Sequence, residues 1–230
     1  MGDDPYYLQT FPGGFTHQTG AANGFGPDGS PREGWVAAAS SYAVEALDEE
    51  DIVSAVNFAR EHNIRLVVKS TGHCFHGRSS APNSLLVWTH SMRDIQFHDD
   101  FVPAGGGEES FSAVTMGAGL TWTDVYAAAA LDRDLFVMGG AEPSVGVVGW
   151  GIGGGFGAQS KQFGTGAANM LQARVVTADG RVVVASEFQN PDLFFALRGG
   201  GFGFGVVVSL TVLTYPLPRY DTVFSIVGDF

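Results

Sequence analysis

The run GWGIGGGFG, Gly149–Gly157, constrains this chain more than any other stretch of it. It lies within Pro143–Ser160, which has no charged residue and in which seven of 18 residues are glycine. Glycine costs a helix interior about 1 kcal/mol relative to alanine, so a long regular helix is disfavoured here. A second charge-free stretch, Gly199–Pro218, opens with five glycines in seven positions before a Val-rich run. A membrane-spanning helix needs about 20 mostly apolar residues of better helix formers, so no membrane span is expected in either. Most of these glycines stand among Val, Phe and Trp rather than in a polar linker. They mark a packed chain whose backbone approaches something closely, either another part of the protein or a flat or phosphorylated ligand.

Charge narrows the partners. Twelve Lys and Arg against 24 Asp and Glu give a formal charge of −12, and no basic run interrupts the acidic background. Nucleic acid is excluded as a partner, because neutralising phosphates requires clustered cations. The single cysteine, Cys74, closes no intrachain disulfide, so stability must come from packing. The N-terminus, MGDDPYYLQTF, has acids where a secretory leader has a basic and then an apolar segment, so a cytoplasmic location is the default expectation.

Periodicity predicts an α+β chain. Residues 1–35, rich in Gly, Pro, Thr and Asn, read as an irregular arm, with regular structure beginning near Val36. A helix is expected from Asp48 to Asn63, with Asp48 as cap and Ile52, Val56 and Ala59 on one face. Strands are expected at Arg65–Lys69, Ser84–Trp88 and Ser112–Gly117, and a short helix at Thr121–Leu131. Asp99–Ser110 reads as a surface insertion. Leu171–Thr177 and Arg181–Ser186 flank Asp179-Gly180, a strong hairpin signal. Pro191–Arg198 should be helical, and Val206–Tyr215 a strand with one face buried.

Three segments could carry chemistry. In VVKSTGHCFHGRSS, residues 67–80, the small residues Ser70, Thr71, Gly72, Gly77 and Ser79 offer backbone N–H groups to an anion, and Arg78 can add charge. A polar surface turn is the alternative reading. GWGIGGGFG contains a formal GxGxxG, but no Asp or Glu occurs from Pro143 to Ala178, which disfavours a nicotinamide site. No Gly-Lys-Ser/Thr occurs, which excludes a Walker loop. The histidines His62, His73, His76, His90 and His98, with Cys74 beside His73, raise the question of zinc, but their spacings fit no paired metal module, so no metal is expected.

Residues 69–90, KSTGHCFHGRSSAPNSLLVWTH, resemble the flavin-diphosphate loop of FAD-linked oxidases of the p-cresol methylhydroxylase type, the vanillyl-alcohol oxidase superfamily, and above all its berberine-bridge-enzyme-like branch. The resemblance continues through GAGLTWTDVY (117–126), EPSVGVVGWGIGGGFGAQSKQFG (142–164), ARVVTADGRVVVAS (173–186) and NPDLFFALRGGGFGFGVVVSLTVLTYPLP (190–218). It covers roughly residues 36–218 in the family's order.

The resemblance implies a two-lobed FAD-binding domain over 36–218, with lobes at about 36–98 and 111–218 and a tail at 219–230. It implies FAD linked covalently through a ring nitrogen of His73. Ser70, Thr71, Gly72, Gly77, Arg78 and Ser79 would surround the diphosphate, and Ser144, Val145, Gly146, Gly153, Gly154 and Gly155 would approach the isoalloxazine and ribityl chain. Bicovalent members carry a cysteine where this chain has Glu142, so a second, cysteinyl bond is not expected there, and Cys74 is given no such role. Glu142 is a candidate for moving protons, with a carboxyl pKa raised by burial. Val145 sits where relatives vary a side chain that gates dioxygen.

The implied reaction takes an alcohol or hemiacetal carbon of a small molecule, carbohydrate included, and passes hydride to the flavin, which dioxygen reoxidises with release of hydrogen peroxide. The family places its substrate domain mainly after the segment ending near Pro218, so that domain is expected to be absent. The alternatives are a non-catalytic FAD-binding module that needs a partner or the missing domain, and a zinc protein. A second copy of the chain could cover an exposed flavin edge, so an oligomer is possible on this reading.

Overall fold

The computed structural model describes residues 39–74 and 77–219. The expected arm at 1–35, the start of regular structure near Val36, His76 and the tail beyond Arg219 lie outside the described residues.

The chain forms two sheets. In the smaller, β1 (Tyr42–Glu45), β2 (Arg65–Lys69) and β3 (Ser84–Trp88) run parallel with β3 in the middle. Every residue of β3 is buried, which is why its sequence, SLLVW, is continuous rather than alternating. Helix α1 (Glu49–Glu61) links β1 to β2, and the Asp48 carboxylate accepts from the N–H groups of Glu50 and Asp51 at its start.

The larger sheet is antiparallel, in the order β4 (Ile95–Phe101), β5 (Phe111–Gly117), β9 (Val206–Pro216), β7 (Met170–Val176) and β8 (Val182–Ser186). The short β6 (Leu135–Val137) pairs with the end of β9. Between β5 and β6 lie α2 (Trp122–Tyr126) and a π-helical turn, Ala127–Leu131. Between β6 and β7 lie α3 (Val147–Ile152), α4 (Ser160–Phe163) and α5 (Gly166–Asn169), and α6 (Pro191–Leu197) follows β8. None of the described helices is long and apolar enough to cross a membrane.

Two expectations need correction. The presumed insertion at Asp99–Ser110 begins inside β4, because Phe101 pairs with Phe111 across a bulge that accommodates the exposed Asp99 and Asp100. The last strand is buried on both faces rather than one. It is flanked by β5 and β7, and Leu210 and Val212 enter the main core with Trp122, Val125 and Ile152. Val206 and Val208 join a second cluster with Ile52 and Val56 of α1 and Val87 of β3. Thr211 sits within this sandwich because its hydroxyl meets the Thr115 hydroxyl at 2.9 Å.

Helix α1 therefore lies between the sheets. A two-pronged ion pair, Arg174 Nε and Nη2 to Glu49 at 2.5 and 2.7 Å, joins it to β7. At the β7–β8 turn, Gly180 has φ +77°, and a Cβ there would stand 2.3 Å from Asn57 Oδ1 of α1. Both its left-handed backbone and the close helix call for glycine.

Candidate cofactor site

The C-terminal end of β2 delivers the 70–80 loop to the region between the sheets, where it meets the segment that leads into α3. Ser70 Oγ donates to the Ala118 carbonyl at 2.7 Å, and Gly146 N donates to Thr71 Oγ1 at 3.0 Å. A Cβ on Gly146 would lie 2.8 Å from Ser70 Oγ and 3.1 Å from Thr71 Oγ1, so glycine there lets the two segments touch. Gly72 and Gly77 have φ of +86° and +68°, which bend the loop back on itself. Among the described residues no protein acceptor meets the amide N–H groups of Thr71, Gly72 or Ser79, although all three residues are buried. Buried amides of this kind ordinarily find an acceptor, which here suits an anion.

The same junction aligns three side chains. His73 Nε2 stands 3.0 Å from Ser144 Oγ, and Ser144 Oγ donates to Glu142 Oε1 at 2.7 Å. Ser144 N also donates to that carboxylate oxygen, at 3.2 Å. Glu142 is exposed, and the two bonds from Ser144 hold its carboxyl below the usual range, which corrects the expectation that burial would raise it. His73 keeps an exposed edge, yet burial of its inner side lowers the imidazole pKa, with the Glu142 charge acting in the opposite direction. This order is wrong for a nucleophilic serine, whose proton must pass to histidine, because the carboxylate holds it instead.

The remaining predicted residues divide. Arg78 is exposed, with its guanidinium 4.3 Å from the Phe202 ring centroid and its Nε 3.4 Å from Cys74 Sγ. Val145 is half-buried against the main core. The glycine run, where a long regular helix is disfavoured, begins inside the six-residue helix α3, whose Val147, Val148 and Ile152 are buried. Of its later glycines, Gly154 faces open space at φ +104°, whereas a Cβ on Gly153 would meet the Gly149 carbonyl at 3.1 Å. The place of a Cβ on Gly155 is taken by the Trp150 ring, 2.6 Å away.

Sequence reasoning missed two features. Trp150, Trp122 and Tyr126 form an aromatic group whose neighbours are glycines, Gly139, Gly155 and Gly166. The signal was Trp at 122 and 150 beside glycine-rich runs. Lys69, at the head of the loop, is 1% exposed, and burial pushes its ammonium pKa down to about 8. Among the described residues no three His, Cys, Asp or Glu side chains gather as a metal site.

A family model described as "FAD binding domain" matches residues 40–186. The chain belongs to the FAD binding domain family of VAO-type flavoproteins. This FAD-binding domain is 44% identical over 196 residues to the FAD-linked oxidoreductase apf9 of Gibberella fujikuroi, covering 82% of the chain and 33% of that protein. It superimposes on the VAO-type flavoprotein MtVAO713 of Myceliophthora thermophila with a TM-score of 0.80 and 35% identity, over 94% of the chain and 39% of that structure. It also matches glucooligosaccharide oxidase of Acremonium strictum, which carries a 6-S-cysteinyl, 8α-N1-histidyl FAD, with a TM-score of 0.68 and 26% identity over 76% of the chain and 36% of that structure. The FAD-binding domain thus spans about a third of the length of the curated relatives it matches.

Proposed function

We propose that this chain holds FAD between the 70–80 loop and the 142–157 segment, covalently through His73, and serves the oxidation of an alcohol or hemiacetal carbon. The observation that carries the reading is the junction itself. Buried amides of Thr71, Gly72 and Ser79 suit a diphosphate, Gly154 leaves backbone bare for a close approach, and a histidine of lowered pKa stands beside them. These residues fit the cofactor. Glucooligosaccharide oxidase, whose FAD is histidyl-linked, and a xylooligosaccharide oxidase of Myceliophthora thermophila are among the matched structures, which supports the sugar-like substrate and the covalent bond as proposals.

When bound, FAD supplies a two-electron acceptor for hydride, and dioxygen takes those electrons to give hydrogen peroxide. The protein's part would be to hold the diphosphate by the loop amides of Thr71, Gly72 and Ser79, to orient the ring through His73, and to exclude water where Val145 packs against the core. The 70–80 loop follows β2 of the smaller sheet, and the 142–157 segment lies between β6 and β7 of the larger one.

A second reading, a module that binds FAD without turnover, is favoured by the share of the relatives' length that the chain spans. Two measurements separate these. Purified protein is precipitated with acid and the pellet examined by absorption and mass spectrometry, where yellow colour and FAD mass on the His73 peptide are expected. The soluble flavoprotein is then mixed with alcohols and sugars without oxygen. Bleaching of the flavin supports turnover, and an unchanged spectrum with every compound supports the binding module. A colourless protein after incubation with FAD would sink both readings.

A further inference from the structure

We propose that Ser144 and Glu142 are positioning residues for His73, which hold its imidazole as the Nε2–H tautomer and receive the Nε2 proton when Nδ1 becomes bonded to the flavin. The proposal rests on the reading that His73 carries the cofactor.

The tautomer follows from counting protons. An ionised carboxylate only accepts, and Glu142, held below the usual carboxyl range by Ser144, is ionised at neutral pH. Ser144 has one hydroxyl proton, which the 2.7 Å contact with Glu142 Oε1 uses. At 3.0 Å from His73 Nε2, the Ser144 oxygen must then accept, so Nε2 is the nitrogen that bears hydrogen. Burial keeps the ring uncharged near neutrality, so its Nδ1 retains a lone pair. The serine between ring and acid thereby selects the nucleophilic atom.

The balance gives the acid its second task. Attachment breaks one C–H bond of the flavin 8α-methyl and makes one bond from Nδ1 to that carbon. If Nε2 kept its hydrogen, the alkylated ring would be a cation. Passing that proton to Ser144 while Ser144 passes its own to Glu142 leaves the ring neutral. Two electrons enter the flavin, and dioxygen collects them, with the methyl proton and the relayed proton, as hydrogen peroxide. His73, Ser144 and Glu142, the three protein groups of this relay, touch in series.

The test uses the purified chain, Ser144→Ala, Glu142→Gln and Ser144→Thr. In flavin-free protein with nitrogen-15-labelled histidine, NMR is expected to show His73 protonated on Nε2, with a mixture of tautomers in Ser144→Ala. On incubation with FAD, Ser144→Ala and Glu142→Gln are expected to bind it reversibly but attach it about 100-fold more slowly, the low end for a positioned proton acceptor. Ser144→Thr, which keeps the hydroxyl, should restore the rate. Wild-type attachment rates in both slow variants, or His73 protonated on Nδ1 in the wild type, would overturn the proposal. Loss of reversible FAD binding in both would also overturn it, by assigning the pair to cofactor retention. If the wild type binds FAD but attaches none, the covalent reading and the proton-receiving role fail together, while the NMR result decides the tautomer alone.

Discussion

The two glycine-bearing segments of the site use the same residue for opposite ends. In the 70–80 loop, Gly72 and Gly77 take left-handed backbone conformations, and while the amides of Cys74, Gly77 and Ser80 bond within the loop, those of Thr71, Gly72 and Ser79 meet no protein acceptor among the described residues. In the 139–166 region Gly149 and Gly154 stay open, but at Gly139, Gly155 and Gly166 the space of the missing side chain is filled by protein. A Cβ on Gly166 would stand 2.2 Å from Trp150 Cζ3, and one on Gly139 2.4 Å from Tyr126 Oη and 2.5 Å from Trp122. The first segment uses glycine to turn its backbone, and the second uses it at Gly139, Gly155 and Gly166 to seat aromatic rings. Composition alone does not distinguish these uses, because both depend on what fills the space beyond the Cα.

The largest expected break in this comparison is Trp150→Ala, which empties the space that Gly155 and Gly166 define. It should cost about 3 kcal/mol in urea unfolding. Gly166→Ala should cost less in that background than alone, since the ring it would strike is gone, and additive costs would show that the glycines are not there for the ring.

At the open segment, Lys69 offers a pH test. Its ammonium has a pKa of about 8 when folded against an ordinary 10.5, so between those values the folded chain binds fewer protons than the unfolded chain. Stability should therefore rise with pH from about 8 to 10.5, by up to about 3 kcal/mol. In Lys69→Met that part of the rise should vanish from the difference in midpoint between pH 8 and pH 10, and equal slopes for the two proteins would refute the assignment.

Smaller effects sharpen the contrast. Gly72→Ala imposes a side chain at φ +86° and should lower stability by about 1 to 2 kcal/mol, read as a drop in melting temperature. Gly149→Ala, in helix α3 with nothing within 4 Å of the new methyl, should instead raise stability by about 0.5 to 1 kcal/mol. A loss there would mean that the space is not open.

Much of this architecture was legible in sequence wherever a local pattern governs structure. Asp48 and the apolar positions Ile52, Val56 and Ala59 give α1, and Asp179-Gly180 gives the β7–β8 turn, because caps and tight turns act through neighbouring residues. Patterns failed where the deciding contact is distant. The Ser and Thr of Val206–Tyr215 suggested a solvent face, but Thr211 finds its partner at Thr115, nearly a hundred residues earlier. The site residues were individually visible in their motifs, yet the contact of His73 with Ser144 spans 71 positions, and the lowered carboxyl of Glu142 comes from a turn in which Ser144, two residues on, bonds back to it. Similarly, nothing near Lys69 in the chain announces its burial, which depends on the strands and loops gathered around it.

The central position of β9 also bears on how the chain is made. Strand β5 ends at Gly117, yet its partner Val206–Pro216 leaves the ribosome about 90 residues later. At about 5 to 20 residues per second, β5 waits several seconds or more with the N–H and C=O groups of one edge unpaired. The β4–β5 and β7–β8 hairpins can zip as soon as they emerge, but the sheet that joins them must be closed last, by its middle strand. A nascent chain paused before Val206 is therefore the species that a holding chaperone should bind most tightly.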